Sequence, residues 1–469
     1  MIRNAFFLFV AGMLAVTTGC NTGNSSQHMN QDSTQVKLVT LDPGHFHAAL
    51  VQKSMNPGID STVYVYAPEG AEVKSHLDLI NGYNSRKENP THWAENVYAG
   101  SDFLDKMVTD KKGNVVVMAG NNQRKTEYIN RAVQAGMNVL GDKPMAIDTG
   151  DFNLLTKAFA DASKKGVLLY DIMTERSEIT NILQRELSRI PEVFGTFEKG
   201  TVDSPAVVME SVHHFYKFVS GSALKRPAWF FDAAQQGNAI VDVGTHLADL
   251  VQWECFPDNS LDYKSDVQIQ QARKWAAPLT LSQFRDITKM DSFPGYLHKY
   301  VRDTVLNADA NGSVNYSLKG MNVKITALWN YKAPEGSGDT HYSMLRGTKA
   351  TLFIRQGNEQ HYQPTLYVEP NKNAGQDYAI QLENAIKKIN EKYAGVTIEK
   401  SQNGWKLLIP DSFKIGHEAH FAQVMERYLQ YLKTGKLPDW EVPGMLTKYY
   451  ITTFGSAMAE SKQIAGASR

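Results

Sequence analysis

Two short stretches carry the first chemical signals. Lys143 stands in "GDKP" (Gly141–Pro144), where Pro144 keeps the backbone of the preceding residue out of the helical region and points the ammonium off a strand end. Far along the chain, "VDVGTHLADL" sets Asp242 and His246 four residues apart. On a helix that spacing shares one face, where a carboxylate can orient an imidazole. Such a pair suits a general base and its orienter, and an imidazole with an unperturbed pKa of about 6.5 works near neutral pH. Asp249 follows on the same side. Taken alone, a histidine on an amphipathic helix is more often a satisfied core residue.

A third stretch, "LDPGHFHAAL", follows the first apolar run. A dinucleotide site there would need a tight turn, close backbone approach to pyrophosphate and a helix N-terminus aimed at it. Of the three glycines in G-x-G-x-x-G only Gly44 is present, with Asp42 and His47 at the other two positions. His45 and His47 either hydrogen-bond phosphate or cap the helix. After the next strand, "YAPEG" offers Glu69 as the nearest acid for ribose hydroxyls, which leans toward NAD over NADP. "GHEAHF" groups His417, Glu418 and His420 as H-E-x-H, not H-E-x-x-H. It is expected to be a polar first turn near a cleft, and no metal site is expected.

Elements able to position these groups are legible as alternation. "VKLVTL", "TVYVYA", "NVVVMAG", "MNVLGD" and "GVLLYDIM" are short β-branched and aromatic runs separated by helical periodicity, a pattern that specifies a parallel sheet. Thr126 to Gly136 predicts a crossover helix closed by glycine. Beyond Met173 to Arg176, "NVKITALWNY" and "SMLRGTKATLFIR" predict long strands of a half-solvated antiparallel sheet. Two late helices are expected, Glu418 to Thr434 and Pro443 to Ile464. The predicted fold is α/β: a parallel-sheet nucleotide domain over 36–172, then an α+β domain with a large, mostly antiparallel sheet over 173–469.

The chain has 469 residues, too many for one hydrophobic core. Its 49 Lys+Arg balance 49 Asp+Glu, so no electrostatic footprint for nucleic acid exists. Residues 1–20 look like an export signal, with Arg3 before an apolar run from Ala5 to Val16 that is too short to span a bilayer. "TTGC" resembles a lipobox, although Thr17 departs from the usual leucine, and makes Cys20 the expected lipidation point, followed by a polar linker over 21–35. The expected location is a membrane surface facing the periplasm, by lipid anchor only. Cys255 then stands alone in the mature chain and forbids an intramolecular disulfide.

"VVVMAGNNQRKTEYINRAVQAGMNVLGDKPMAID" resembles the glucose-fructose oxidoreductase / inositol dehydrogenase / MocA family, and "RPAWFFDAAQQGNAIVDVGTHLADLVQW" resembles its D-x-G-x-H-x-x-D signature. The resemblance implies a Rossmann-type first domain, bound NAD and a small carbohydrate substrate. Asn122, with neighbouring Asn121, and Lys143 with Pro144 match strand-end positions that line nicotinamide and substrate; Asp142 stands where glutamate is usual, and Lys125 where many members have histidine. Lys143, Asp242 and His246 are then the expected catalytic residues, with His246 the base and Lys143 the positioning cation. Tyr170, Arg176, His213, His214, Trp229, Asp242, Thr245 and His246 are the expected sugar contacts, with packing of the interlobe core an equal alternative for Tyr170, Arg176, His213, His214 and Trp229. The implied activity is oxidation of a secondary hydroxyl, C3 of a glycoside or disaccharide, to a ketone, as in a glucoside 3-dehydrogenase whose product feeds a keto-glycoside lyase. A glycosidase acting by transient C3 oxidation would use the same residues, and a non-catalytic sugar-binding lipoprotein would fit the missing glycines. Export implies tightly held cofactor. A homo-oligomer is compatible with all three readings.

Overall fold

The computed structural model describes residues 35–219 and 222–467. The expected signal segment, Cys20 and the linker up to residue 34 lie outside the described residues. Among the described residues no helix is long and apolar enough to cross a membrane.

The β-branched runs form parallel strands β1 (Leu38–Leu41), β2 (Thr62–Ala67), β3 (Ala94–Ala99), β4 (Val115–Met118), β5 (Asn138–Asp142) and β6 (Leu169–Ile172). Their order is β3-β2-β1-β4-β5-β6. Helices α1 (His47–Leu50), α2 (Ala71–Ser85), α3 (Phe103–Asp110), α4 (Lys125–Gln134) and α5 (Thr149–Lys165) lie between them. Asp148 caps α5 by accepting from the Asp151 N–H, and Gly166 ends it at φ 66°. Strand order reverses between β1 and β4, and an open parallel sheet presents its ligand crevice at the carboxyl ends of the strands at such a point. Asp42 to His47, Gly120 to Asn122 and Asp142 to Lys143 follow the ends of β1, β4 and β5.

The second lobe starts with α6 (Ile179–Ser188) and β7 (Val207–Tyr216), then a small hairpin of β8 (Phe218–Val219) and β9 (Ser222–Ala223). Helices α7 (Ala233–Gln236), α8 (Ala239–Asp242) and α9 (Gly244–Cys255) come next. Then follow β10 (Val267–Thr280), α10 (Leu281–Thr288), β11 (Val301–Arg302), β12 (Val305–Leu318), β13 (Met321–Lys332), β14 (Thr340–Arg346), β15 (Ala350–Arg355) and β16 (Thr365–Pro370). The lobe closes with α11 (Tyr378–Lys392), β17 (Thr397–Ser401), β18 (Gly404–Leu408), α12 (His417–Thr434) and α13 (Glu441–Ala467). The large sheet runs β10-β12-β13-β7-β14-β15-β16-β18-β17, with β11 against β12. Only β13 and β7 pair in parallel. "SMLRGTKATLFIR" is not one strand but the β14–β15 hairpin, broken at Gly347, where a Cβ would meet the Phe194 carbonyl.

Two packing details position the chemistry. Gly312 in β12 faces α8 so closely that a Cβ there would lie 2.5 Å from Ile240 Cγ1, and this approach fixes the height of Asp242 above the sheet. The late helices return to the first lobe: Phe421, Val424, Met425 and Tyr428 of α12, with Met445 and Tyr449 of α13, are buried in the same core cluster as β1, β4 and β5. Tyr170 of β6 stacks on Tyr428, with ring centroids 6.0 Å apart.

Candidate active site

A cleft of about 1710 Å³ opens at the carboxyl ends of the first sheet and is walled on its far side by α9, β7 and the loop before β14. This exceeds the roughly 300–1,000 Å³ of ordinary small-molecule pockets, so two ligands can lie in it together. His45, His47, Asn122, Lys143, His213, Asp242 and His246 all line it.

Lys143 Nζ crosses the cleft to Asp242 Oδ1 at 2.5 Å. Burial pushes the Asp242 carboxyl up, but the Lys143 ammonium outweighs it and holds the group below the usual carboxylate range. The two groups are thus a charged pair across the lobes. The expected Asp242 to His246 partnership does not form. Helix α8 ends at Asp242, α9 begins at Gly244, and the carboxylate turns to the other lobe. His246 Nδ1 is buried with no hydrogen-bond partner, while its ring faces the cleft. Burial, then the nearby Lys143 ammonium, depresses the imidazole well below its usual range. His246 is therefore a neutral imidazole at ordinary pH.

Several expected contacts are taken up elsewhere. Arg176 is buried between Asp249 and Glu441, with Nε and Nη2 each 2.7 Å from an Asp249 oxygen. Lys448 completes the network, reaching both Asp249 and Asp171. Tyr170 gives its hydroxyl to Glu441 at 3.3 Å. Thr245, in the first turn of α9, donates to the Val241 carbonyl of α8. Tyr170 and Arg176 hold the lobes together, Thr245 bonds within the second lobe, and none of the three lines the cleft. His214 is buried on Asp339. Trp229 packs against the turn, its Cζ2 3.3 Å from where a Gly44 Cβ would be, and it does not line the cleft.

On the nucleotide side, Asp42 adopts φ 46° and accepts from the Tyr128 hydroxyl. The N–H groups of Gly44 and His45 both donate to the Ala119 carbonyl at 3.1 Å. Helix α1 has four residues and Phe46 as an N-cap without a side-chain bond, so the histidines do not cap it. Instead His45 and His47 converge on Asp142, with Nδ1 atoms 3.5 and 3.0 Å from Oδ2. Asn121 bonds the Gln235 side chain and Asn122 bonds the Gln236 carbonyl, both from α7. Glu69 is exposed beyond the tip of β2 and outside the cleft.

Of the "GHEAHF" cluster, His420 faces Glu178 at 3.9 Å, His417 stacks on His47, and Glu418 pairs with Lys53. Three cleft residues were missed in the sequence. Asp339 is gripped by His213, His214 and Lys217, which draw it far below the carboxylate range against burial. His341 is lowered to about 4 by burial. Gln236 lies at the end of α7. The run "GSGDTHY" was the available signal, a glycine-rich loop presenting an acid and a histidine between strands. Glu175, also on the cleft wall, is raised to about 7 by burial and then by Glu178.

Comparison with known proteins gives the class. Residues 63–170 match the family described as "Oxidoreductase family, NAD-binding Rossmann fold", and residues 183–460 match the "Putative oxidoreductase C terminal domain". The chain belongs to the glucose-fructose oxidoreductase / inositol dehydrogenase / MocA oxidoreductase family. A "putative oxidoreductase" from Parabacteroides merdae is 52% identical with TM-score 0.89, covering 92% of this chain and 98% of that one. Myo-inositol 2-dehydrogenase from Lactobacillus plantarum shares the fold at 12% identity and TM-score 0.53, covering 91% and 98%. Biliverdin reductase from Synechocystis sp., solved with biliverdin and NADP+, does so at 12% and 0.53, covering 91% and 99%. A search of curated proteins returns no match.

The residues fit a nicotinamide dinucleotide at its nicotinamide end. Asn122 Oδ1 is buried without a hydrogen-bond partner at the tip of β4 and Lys143 lines the same cleft, whereas Glu69 lies outside it. The turn after β1 differs from the expectation, because the Gly44 and His45 N–H groups are engaged by Ala119.

Proposed function

We propose that the protein oxidises a secondary hydroxyl of a carbohydrate, C3 of a glycoside or disaccharide, to a ketone. The observation that carries this is His246, its buried Nδ1 without a hydrogen-bond partner, in the same cleft as the Lys143–Asp242 pair. When bound, the nicotinamide supplies the acceptor for the hydride leaving the carbinol carbon. His246 takes the hydroxyl proton, for which its neutral form is required. Lys143 orients the hydroxyl oxygen and lowers the cost of charge developing on it, while Asp242 holds the ammonium in place. Glu175, held near neutral pH by burial, and His213 supply hydrogen bonds to further hydroxyls.

Purified protein incubated with NAD or NADP and a panel of glucosides, disaccharides and inositols should show growth of reduced-nicotinamide absorbance together with a keto product. No bound nicotinamide and no reduction under single-turnover conditions, with carbohydrate binding intact, would make the protein a binding module instead. The leader and Cys20 support an exported, lipid-anchored form that keeps its cofactor tightly and passes electrons to a second carbohydrate or a partner.

A further inference from the structure

The turn that lacks its glycines builds something else. His45 and His47 leave the end of β1 with their rings 4.1 Å apart, edge to face, and both address Asp142 at the end of β5. One ligand atom from each lies within 4.8 Å of the other two. The Nδ1 atoms are 3.5 and 3.0 Å from Asp142 Oδ2. An ion about 2.1 Å from each of two imidazole nitrogens and a carboxylate oxygen leaves those atoms roughly 2.9–3.4 Å apart, for octahedral to tetrahedral angles.

Hydrogen bonding accounts for only part of this cluster, the bond between His47 Nδ1 and Asp142 Oδ2 at 3.0 Å. Asp142 is 3% exposed, and its Oδ1 is buried with no partner. His45 Nδ1 is likewise buried and in no hydrogen bond, 3.5 Å from Asp142 Oδ2. Native proteins rarely leave two such atoms side by side unless something else meets them. The cations nearby do not serve, since Lys125 Nζ donates to the Asp142 backbone carbonyl and Lys143 Nζ to Asp242. His417 and Phe421 of α12 pack over the His47 ring, each with centroids 5.1 Å away, giving the partly apolar shell that tunes metal centres.

We infer that His45, His47 and Asp142 form a two-histidine, one-carboxylate site for a divalent first-row transition ion. Imidazole ligands select this class over calcium and magnesium, which take oxygen ligands. All three side chains line the cleft, so the remaining coordination positions open toward it and take an oxygen ligand there.

The test uses the whole chain, stripped with chelator and titrated with Zn²⁺ or Co²⁺, without added substrate. The expected result is one tightly held ion per chain by elemental analysis, with Co²⁺ ligand-field bands and nitrogen couplings from two histidines. His47→Gln and Asp142→Asn should each weaken Zn²⁺ binding more than about 100-fold, since loss of even an outer-shell partner costs about 10–100-fold. His213→Gln, across the cleft, should leave it unchanged. Less than stoichiometric metal in wild type, a signature without two histidine nitrogens, or equal affinity in folded variants would overturn the site. The wild-type spectrum decides the matter if a variant fails to fold. None of these readouts depends on sugar oxidation, so the two proposals fail separately.

Discussion

Lys143 Nζ and Asp242 Oδ1 meet at 2.5 Å, tying the end of β5 in the first lobe to the end of α8 in the second. Both side chains are largely buried. Removing one partner of a buried pair costs about 3–5 kcal/mol because the other charge is left uncompensated. Asp242→Asn should lower unfolding free energy by an amount of that order, read from denaturant titration, and cut turnover by about 10²-fold through a misplaced ammonium. A variant as stable and active as wild type would remove the pair from both roles.

His246→Ala should lose about 10²–10⁴ in turnover while keeping nucleotide affinity, as for a general base. The pH profile carries a second expectation. Burial and Lys143 hold the imidazole well below its ordinary value, so it stays neutral as pH falls through 6.5. Base-dependent turnover should therefore persist below pH 6 and fall only under more acid conditions. An acid limb centred near 6.5 would show a solvated histidine in its place.

Arg176→Ala strips the cation from between Asp249 and Glu441, and an unfolding cost of about 3–5 kcal/mol is expected. Because Arg176 does not reach the cleft, the Michaelis constant of the folded fraction should move by less than about threefold, read at low temperature. A large rise in that constant with unchanged stability would return Arg176 to the substrate site.

Gly312→Ala places a methyl against Ile240 and pushes α8 away from β12. Overpacking of this kind costs about 1–3 kcal/mol. The displacement acts on Asp242, so turnover should fall although Gly312 touches no ligand, and Ile240→Ala in the same chain, which removes the clashing Cγ1, should restore part of the turnover.

What the sequence disclosed follows the physics of each element. Strands β1, β4, β5 and β6 are buried on both faces and therefore show as apolar runs, whereas edge strand β3, "AENVYA", is mostly exposed and has no such run. The convergence of Lys143, Asp242 and His246 on one cleft was legible from two motifs. Their pairing was not, because Lys143, 99 residues away in sequence, takes the Asp242 carboxylate that the four-residue spacing assigns to His246. Arg176 and Tyr170 have the polarity of substrate contacts, and nothing local distinguishes that from an interlobe anchor; Thr245 is spent on the Val241 carbonyl. Asp339 comes from a loop distant in sequence, so its grip on His213 and His214 is a property of the tertiary fold.

The return of α12 and α13 to the first core has a consequence for biosynthesis. A ribosome has almost finished the polypeptide before Phe421, Tyr428 and Tyr449 emerge to pack on α1 and β6. The nascent amino-terminal half must wait with a greasy flank uncovered, a natural client for holdase chaperones, and its maturation is paced by completion of translation.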